Sequence, residues 1–432
     1  MLHNQVSKQI INECNYLYLR ICHSNKMNIY VLTGIIDELR LREHLKKESS
    51  TSTMEKPCQI LNRNLEMVPT SSTCILPNKN ALRQVVKRSR AKNKPSEPQS
   101  IDDIQVPDEL KMFDDEPFLV SNTRFNKDGC VLIFSTKNNI RVLKESPIWI
   151  MDGTFQCCPV LFAQLYSIHG IVGDAGYNTK TVPLVYALLS TDSLNENILA
   201  PNLVMTDFEV AVINSVRSVF IEATHKCCLF HLGQNVWRRV QQHGLQKKYF
   251  EDASFALKIR HLIALAYLPP EDIPNAFNLL KDKVLPQDSS TENIIQWFET
   301  TYVKGKQTSR TSTDNKLTIY TTPPLFSPDI WSVHYNNEHN LPRTQNSVEA
   351  WDRRWNSLLN NKKIGLYSTI KELKKEQIAV NIQIERAEAG APGPSPKKKN
   401  RDSQNAISHF IEQRNSMTVL KFLKGIASNT YL

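Results

Sequence analysis

The chain of 432 residues contains no run of eighteen apolar residues, so it offers no helix long and apolar enough to cross a bilayer. Its first residues lack the compact apolar stretch of a signal peptide. Its cysteines do not form a disulfide framework. They number nine, two pairs are vicinal (Cys157 with Cys158, Cys227 with Cys228), and none lies beyond Cys228. An odd count with vicinal pairs suits a reducing compartment. Cys228-Leu229-Phe230-His231, with His225 and Cys227 nearby, has no second ligand cluster at the usual spacing, which argues against a closed structural zinc. No internal repeat is visible. These absences leave the cytosol or the nucleus, with no membrane.

What the chain does have is an excess of positive charge. Its 53 Lys and Arg against 43 Asp and Glu give a formal charge of +10, which favours an anionic partner such as nucleic acid. Seven basic residues and no acid lie between Lys79 and Lys94. Arg83, Lys87, Arg88, Arg90, Lys92 and Lys94 are the candidates for phosphate contact there. A solvated linker and a nuclear import signal are the alternatives. Ile29 to Leu32 reads as a short strand, Ile35 to Leu41 as a short helix, and Glu48 to Thr53 as a polar segment. Residues 1–100 are expected to be a poorly ordered or unrelated N-terminal region, with a boundary at Lys94-Pro95-Ser96-Glu97-Pro98.

The folded part is expected to begin near Ile101. Cys130 to Phe134 reads as a strand and Asn138 to Leu143 as a short helix. Three sequential strands follow at Trp149 to Met151, Leu161 to Val172 and Thr181 to Leu189. Their long apolar runs suit a sheet buried on both faces. A fourth strand, Leu203 to Met205, leads into a helix marked by Val210, Ile213, Val216 and Val219. His225 to Phe230 reads as a fifth strand and Leu232 to Gln242 as a helix. Helical spacing dominates residues 250–303, broken by Pro269-Pro270, and Lys304 to Thr322 reads as a polar loop. Val348, Trp351, Trp355 and Leu358 mark an amphipathic helix. A long helix through Leu366 and Ile384 follows, ended by Gly390. A basic linker from Ala389 to Arg401 and a last short helix close the chain. The expected architecture is α/β: a mixed five-stranded sheet over residues 101–243, a helical insertion over 244–340, a completing pair of helices over 341–389, and a tail over 390–432.

Two apolar strands end on carboxylates. Ile148-Trp149-Ile150-Met151 runs into Asp152, and Leu203-Val204-Met205-Thr206 into Asp207. Open α/β sheets place their chemistry at the carboxyl ends of strands. A third acid, Glu349 on the amphipathic helix, would complete a site for Mg²⁺ or Mn²⁺, hard cations that take oxygen ligands. Each acid also has a plain structural reading. Asp152-Gly153 is a hairpin-turn signal, Asp207 can cap the following helix, and Asn346-Ser347-Val348-Glu349 fits a capping box with Glu349 paired to Arg353. If Cys228 to His231 is a strand, Cys228 and His231 face opposite ways, and buried thiols are the default.

Six short stretches, in order, resemble the Mutator-like element (MULE) transposase domain. They are Met151-Asp152-Gly153-Thr154-Phe155, Gln164 to Gly170, Val182 to Leu189, Thr206-Asp207-Phe208-Glu209, Cys228 to Gln234, and Arg343 to Trp351. The resemblance covers residue 101 to the end. It implies a ribonuclease-H-like fold with a helical domain inserted before the last catalytic residue, and a D-D-E triad at Asp152, Asp207 and Glu349. It also implies metal-dependent cleavage of DNA at transposon ends, followed by strand transfer. DNA as partner, a homo-oligomer and a nuclear location follow. Cys228 and His231 occupy the family's Cys-x-x-His element. The chain departs from the family in three places. Only Ser190 to Pro201 stands where a full helix is usual, Asp352 replaces a His three residues after Glu349, and residues 1–100 lack a FLYWCH-type Cys/His spacing. The alternatives are therefore a transposase-derived DNA-binding or regulatory protein without catalysis, and an inactive genomic remnant.

Overall fold

The structure is a computed structural model that describes residues 29–51, 55–92, 95–125, 129–173, 179–190, 201–285, 289–311, 317–360, 362–393 and 398–430. The chain divides into two compact units, one ending at Ser96 and the other beginning at Glu97. Among the described residues no helix is long and apolar enough to cross a membrane.

The N-terminal unit is helical. Helices α1 (Ile29–Thr51), α2 (Pro57–Leu65) and α3 (Lys79–Lys92) enclose a small core of Leu41, Leu45, Ile60, Leu61, Leu82 and Val86. Two readings are corrected here. The β-branched start at Ile29 to Leu32 is absorbed into α1, because the Leu-, Glu-, Lys- and Arg-rich sequence behind it carries the helix back through it. The basic stretch is a helix rather than a linker, because Leu82 and Val86 recur at i and i+4 and are fully buried.

The second unit is mixed α/β, built on one open sheet of seven strands rather than five. The strands are β1 (Leu119–Arg124), β2 (Cys130–Phe134), β3 (Trp149–Thr154), β4 (Gln164–Val172), β5 (Lys180–Leu189), β6 (Leu203–Thr206) and β7 (Thr224–Cys227), in spatial order β1-β2-β5-β4-β3-β6-β7. The two additional strands come from the β1–β2 hairpin, which lies antiparallel along the edge of β5. The half-exposed alternation of β1 gave it no apolar run to be recognised by. β3, β4 and β5 form an antiparallel meander, whereas β6 pairs parallel to β3 and β7 parallel to β6. β4 and β5 are buried on both faces. Pro183 sits in β5 beyond the Tyr186 to Leu189 stretch paired with β2, where its missing N–H costs no ladder bond on that side.

Helices cover both faces. Helices α4 (Lys137–Glu145), α5 (Val210–Val219) and α11 (Leu366–Glu388) bury Val142, Leu143, Val216, Val380 and Ile384 against Trp149, Met151 and Tyr166. On the other face α10 (Asn346–Leu358) sets Val348 against Ile148, Ile150, Leu203, Met205 and Cys228. A third core joins α6 (Leu229–Gln242), α7 (Ala253–Ala264), α8 (Ile273–Lys283), α9 (Ser289–Phe298), α12 (Lys398–Glu412) and α13 (Val419–Asn429). The stretch read as a C-terminal tail thus supplies Ile407, Phe422, Leu423 and Ile426 to the helical layer. Lys304 to Thr322 is a hairpin, β8 (Lys306–Thr311) with β9 (Leu317–Thr322), rather than a loop; its Thr, Ile and Tyr residues favour extended backbone. The segment read as a missing helix, 191–200, lies outside the described residues. Gly390 takes φ +73° just past α11, the position a helix end reserves for glycine.

Candidate active site

β3, β6 and β7 run parallel, so their carboxyl ends share one edge of the sheet. Trp149 is level with Val204 and Ile150 with Met205. Asp152 and Asp207 each stand two residues beyond that paired register, and the charge of Asp207 reaches Asp152. Alternation assigns Asp152 to the face of Ile148 and Ile150, and Asp207 to that of Met205, the face that α10 covers through Val348. The plain reading of Asp152-Gly153 as a turn does not hold, because β3 continues through Thr154. Asp207 does not cap α5 directly; its Oδ1 accepts the N–H of Glu209 at 3.0 Å, ahead of the helix.

Glu349 lies in the first turn of α10, where the helix dipole favours a carboxylate. The expected capping box is absent: Gln345 precedes the helix, and no side chain caps it. Glu349 instead lies 3.7 Å from Arg353 and 3.7 Å from His231 Nε2. Among the described residues its buried Oε1 has no hydrogen-bond partner, nor does His231 Nδ1. Asp352, one turn on, joins the group by sharing a hydrogen bond with Asp152. Burial, then the charge of Asp352, with smaller contributions from Asp207 and Glu349, pushes the Asp152 carboxyl up to about 8. Burial and the charge of Glu349 raise Asp352 to about 7. Burial also raises Glu349, against the opposing pull of Arg353. Three acids expected from sequence therefore converge, and a fourth converges with them.

The Cys-x-x-His element has a different geometry from the extended one expected. β7 stops at Cys227 and α6 starts at Leu229, because Leu229, Leu232, Gly233, Val236 and Val240 are buried at helical spacing. Cys228 sits at the head of α6 and His231 falls one turn inside it. The two divide their roles. Cys228 is fully buried, and burial pushes its thiol up to about 11. Its Sγ accepts the backbone N–H of Gln345 at 3.2 Å. His231 faces the acids; burial and Arg238 lower its pKa, while Asp207 raises it.

Gln345 is the residue the sequence did not single out. Its Nε2 donates to Met151 O at 3.1 Å, one residue before Asp152, and its N–H reaches Cys228. Arg343 O also accepts the N–H of Leu229 at 3.0 Å. The start of α10 is thus fastened to the strand ends that carry the acids. Its far side is held by Glu376 of α11, whose buried carboxylate accepts Trp351 Nε1 at 2.8 Å and both terminal nitrogens of Arg354. Only the position of Gln345 before Asn346, at the start of an acid-bearing helix, hinted at this role.

The donor set is four carboxylates and an imidazole. Among the described residues no three His, Cys, Asp or Glu side chains stand close enough to hold a metal ion as placed. Two features nevertheless suit a divalent cation: a buried Glu349 oxygen without a hydrogen-bond partner among the described residues, and the raised carboxyls of Asp152 and Asp352, whose charged forms a cation would favour. A cleft of about 1640 Å³ opens elsewhere, lined by Pro147, Val172, Asn337, Arg343 and Gln404, at the end of β3 away from Asp152. The chemistry is assigned to the acids, where raised carboxyls cluster.

The six basic candidates belong to the N-terminal unit. Arg83, Lys87, Arg88, Arg90 and Lys92 are on α3, and Lys94 lies outside the described residues. Arg90 turns inward to donate to Glu55 O at 2.9 Å, whereas Lys87 and Arg88 are exposed. Comparison of the chain with known protein families, curated proteins and solved structures finds no match to any of them.

Proposed function

We propose that the chain is a DNA strand-cleaving and strand-transferring enzyme of the Mutator-like element transposase kind, or a host protein derived from one. Its core is read as ribonuclease-H-like. The observation that carries the proposal is the meeting of Asp152 and Asp207 at adjacent parallel strand ends, on the face from which α10 presents Glu349. The sheet order supports that reading: β3, β4 and β5 form an antiparallel meander, β6 and β7 add in parallel on the β3 side, and the β1–β2 hairpin extends the far edge.

Asp152, Asp207 and Glu349 would hold Mg²⁺ or Mn²⁺, which when bound activates an attacking oxygen and stabilises the leaving one. The rest follows from the chain. Gln345 and Cys228 fix the carboxylate of Glu349 relative to Asp152. Asp352 presents a further oxygen to Asp152. His231, held neutral by burial, can accept a proton near Glu349. In cleavage, water adds to a phosphorus and the P–O3′ bond breaks, leaving a 5′-phosphate and a 3′-hydroxyl; that hydroxyl then attacks a target phosphodiester, forming a new P–O bond as the target's own P–O3′ bond breaks and its 3′-oxygen leaves with a proton. Assembly as a homo-oligomer on two DNA ends, and a nuclear location, belong to the same reading.

A second reading is a non-catalytic DNA-binding derivative. It draws on the spacing of the acids, which among the described residues do not close to coordinating distance. Incubating the protein with supercoiled DNA and Mn²⁺ separates the two. The first reading expects nicking that disappears in Asp152→Asn and in Asp207→Asn while DNA binding stays. Binding without nicking in the wild type would favour the second.

A further inference from the structure

The N-terminal unit carries a charge segregation that the acids do not explain. On α1 and α2 the arginines are neutralised locally. Arg40 pairs with Asp37 at 3.6 Å, Arg42 with Glu38 at 2.7 Å, and Arg63 with Glu48 at 3.2 Å and Glu55 at 3.1 Å. Helix α3 is different. It has six basic residues and no acid. Its inner side is fixed by Leu82 and Val86, both fully buried in the unit's core. The opposite side, at helical spacing, presents Asn80, Gln84, Lys87 and Arg88, all exposed. Among the described residues neither Lys87 nor Arg88 has an ion-pair partner.

We propose that the outward face of α3 is a duplex-DNA-reading surface, in which Lys87 and Arg88 contact phosphates and Gln84 and Asn80 meet base edges in the major groove. This rests on the nucleic-acid reading above, but not on the metal site. An α-helix fits the major groove of B-form DNA, and amide side chains there can pair with adenine. The occupant is argued to be duplex rather than single-stranded nucleic acid because α3 carries no Phe, Tyr or Trp to serve as a stacking platform. The only aromatic residue from Ile29 to Lys92 is Tyr30, at the head of α1, and α3 has none. The structure also narrows the sequence-based choice of residues. Arg90 is spent on Glu55 O and supports the unit, whereas Arg83 donates to Asn80 Oδ1 at 3.1 Å and so orients that amide at the margin of the outward face. The module is therefore a recognition unit distinct from the strand-cutting one, and it would select where on DNA the acids act.

The test uses the full chain, a fluorescent 30-base-pair duplex and EDTA, so that metal does not contribute, with anisotropy read across a salt series. Lys87→Ala/Arg88→Ala removes two exposed phosphate contacts and should leave folding intact. It should weaken duplex binding at least tenfold at moderate salt and reduce the slope of log affinity against log salt by about 1.8. Arg40→Ala/Arg42→Ala, charge-matched but drawn from paired arginines on α1, should change neither. Gln84→Ala should keep non-specific affinity and lose preference among duplex sequences. Unchanged affinity and slope in the Lys87/Arg88 variant would overturn the proposal, as would wild-type preference for single-stranded DNA or RNA over duplex. Asp152→Asn, measured alongside, should bind duplex as wild type does. Binding by that variant that still depends on Lys87 and Arg88 would support this surface independently of the acids, and lost binding would count against it.

Discussion

Replacing Asp152 with Asn should alter how the metal-free protein's stability depends on pH. In the folded chain burial and nearby carboxylates push Asp152 up to about 8, whereas an unfolded Asp titrates near about 3.9. Between those values the folded state holds a proton that the unfolded state has released. Stability therefore falls as pH rises through the window, by about 1.4 kcal/mol per pH unit for one full proton. Asp352, raised to about 7 by burial and Glu349, is present in both proteins, so its effect cancels in their difference. From pH 5 to pH 7 the loss comes to roughly 2–3 kcal/mol. Two buried histidines act in the opposite sense. His169 is held down to about 3 and His225 to about 4, both chiefly by burial. They stay neutral while unfolded histidines gain protons below about 6.5, so they lower stability as pH falls. Both proteins contain them, so the difference between wild type and Asp152→Asn cancels their effect. Urea unfolding in EDTA at pH 5, 6 and 7 should show the variant gaining roughly 2–3 kcal/mol on the wild type across that range. A pH-independent difference between two cooperatively unfolding proteins would refute the convergence of buried carboxyls.

Two further substitutions test how α10 is held. Gln345→Ala deletes the tie to Met151 O, so stability should fall by about 1–2 kcal/mol. If the chain cuts DNA, the rate should fall on the order of 10–100-fold as Glu349 shifts; denaturation and single-turnover cleavage report the two effects. Glu376→Ala strands Trp351 Nε1 and Arg354, and should cost about 2–3 kcal/mol. The lower end of the range for breaking a buried pair applies because Arg354 is half exposed. Glu376→Gln should recover part of that loss in the same melt.

The strands that carry the acids were legible because their apolar runs are long and end abruptly on Asp152 and Asp207. The helix of Glu349 was legible from Val348, Trp351 and Trp355 at helical spacing. The unread parts share a physical cause, namely short apolar signals that more than one structure can use. Leu229 to Leu232 suits a strand end as well as a helix start, and only the burial of Val236 and Val240 one and two turns on decides for helix. β1 alternates without a hydrophobic run, so its pairing with β2 depends on an edge that sequence does not display. In α3 the density of Lys and Arg concealed Leu82 and Val86. Asp352 was visible as an acid one turn from Glu349, but its hydrogen bond to Asp152 depends on α10 lying across β3. The role of Gln345 depends on the same crossing.

Calorimetric titration of the purified protein with Mn²⁺, against the Asp152→Asn/Glu349→Gln double variant, tests the central proposal most directly. Saturable binding by the wild type that disappears in the folded double variant is the expected result. No binding by a folded wild type, or equal binding by both, would contradict a divalent-metal site at Asp152, Asp207 and Glu349.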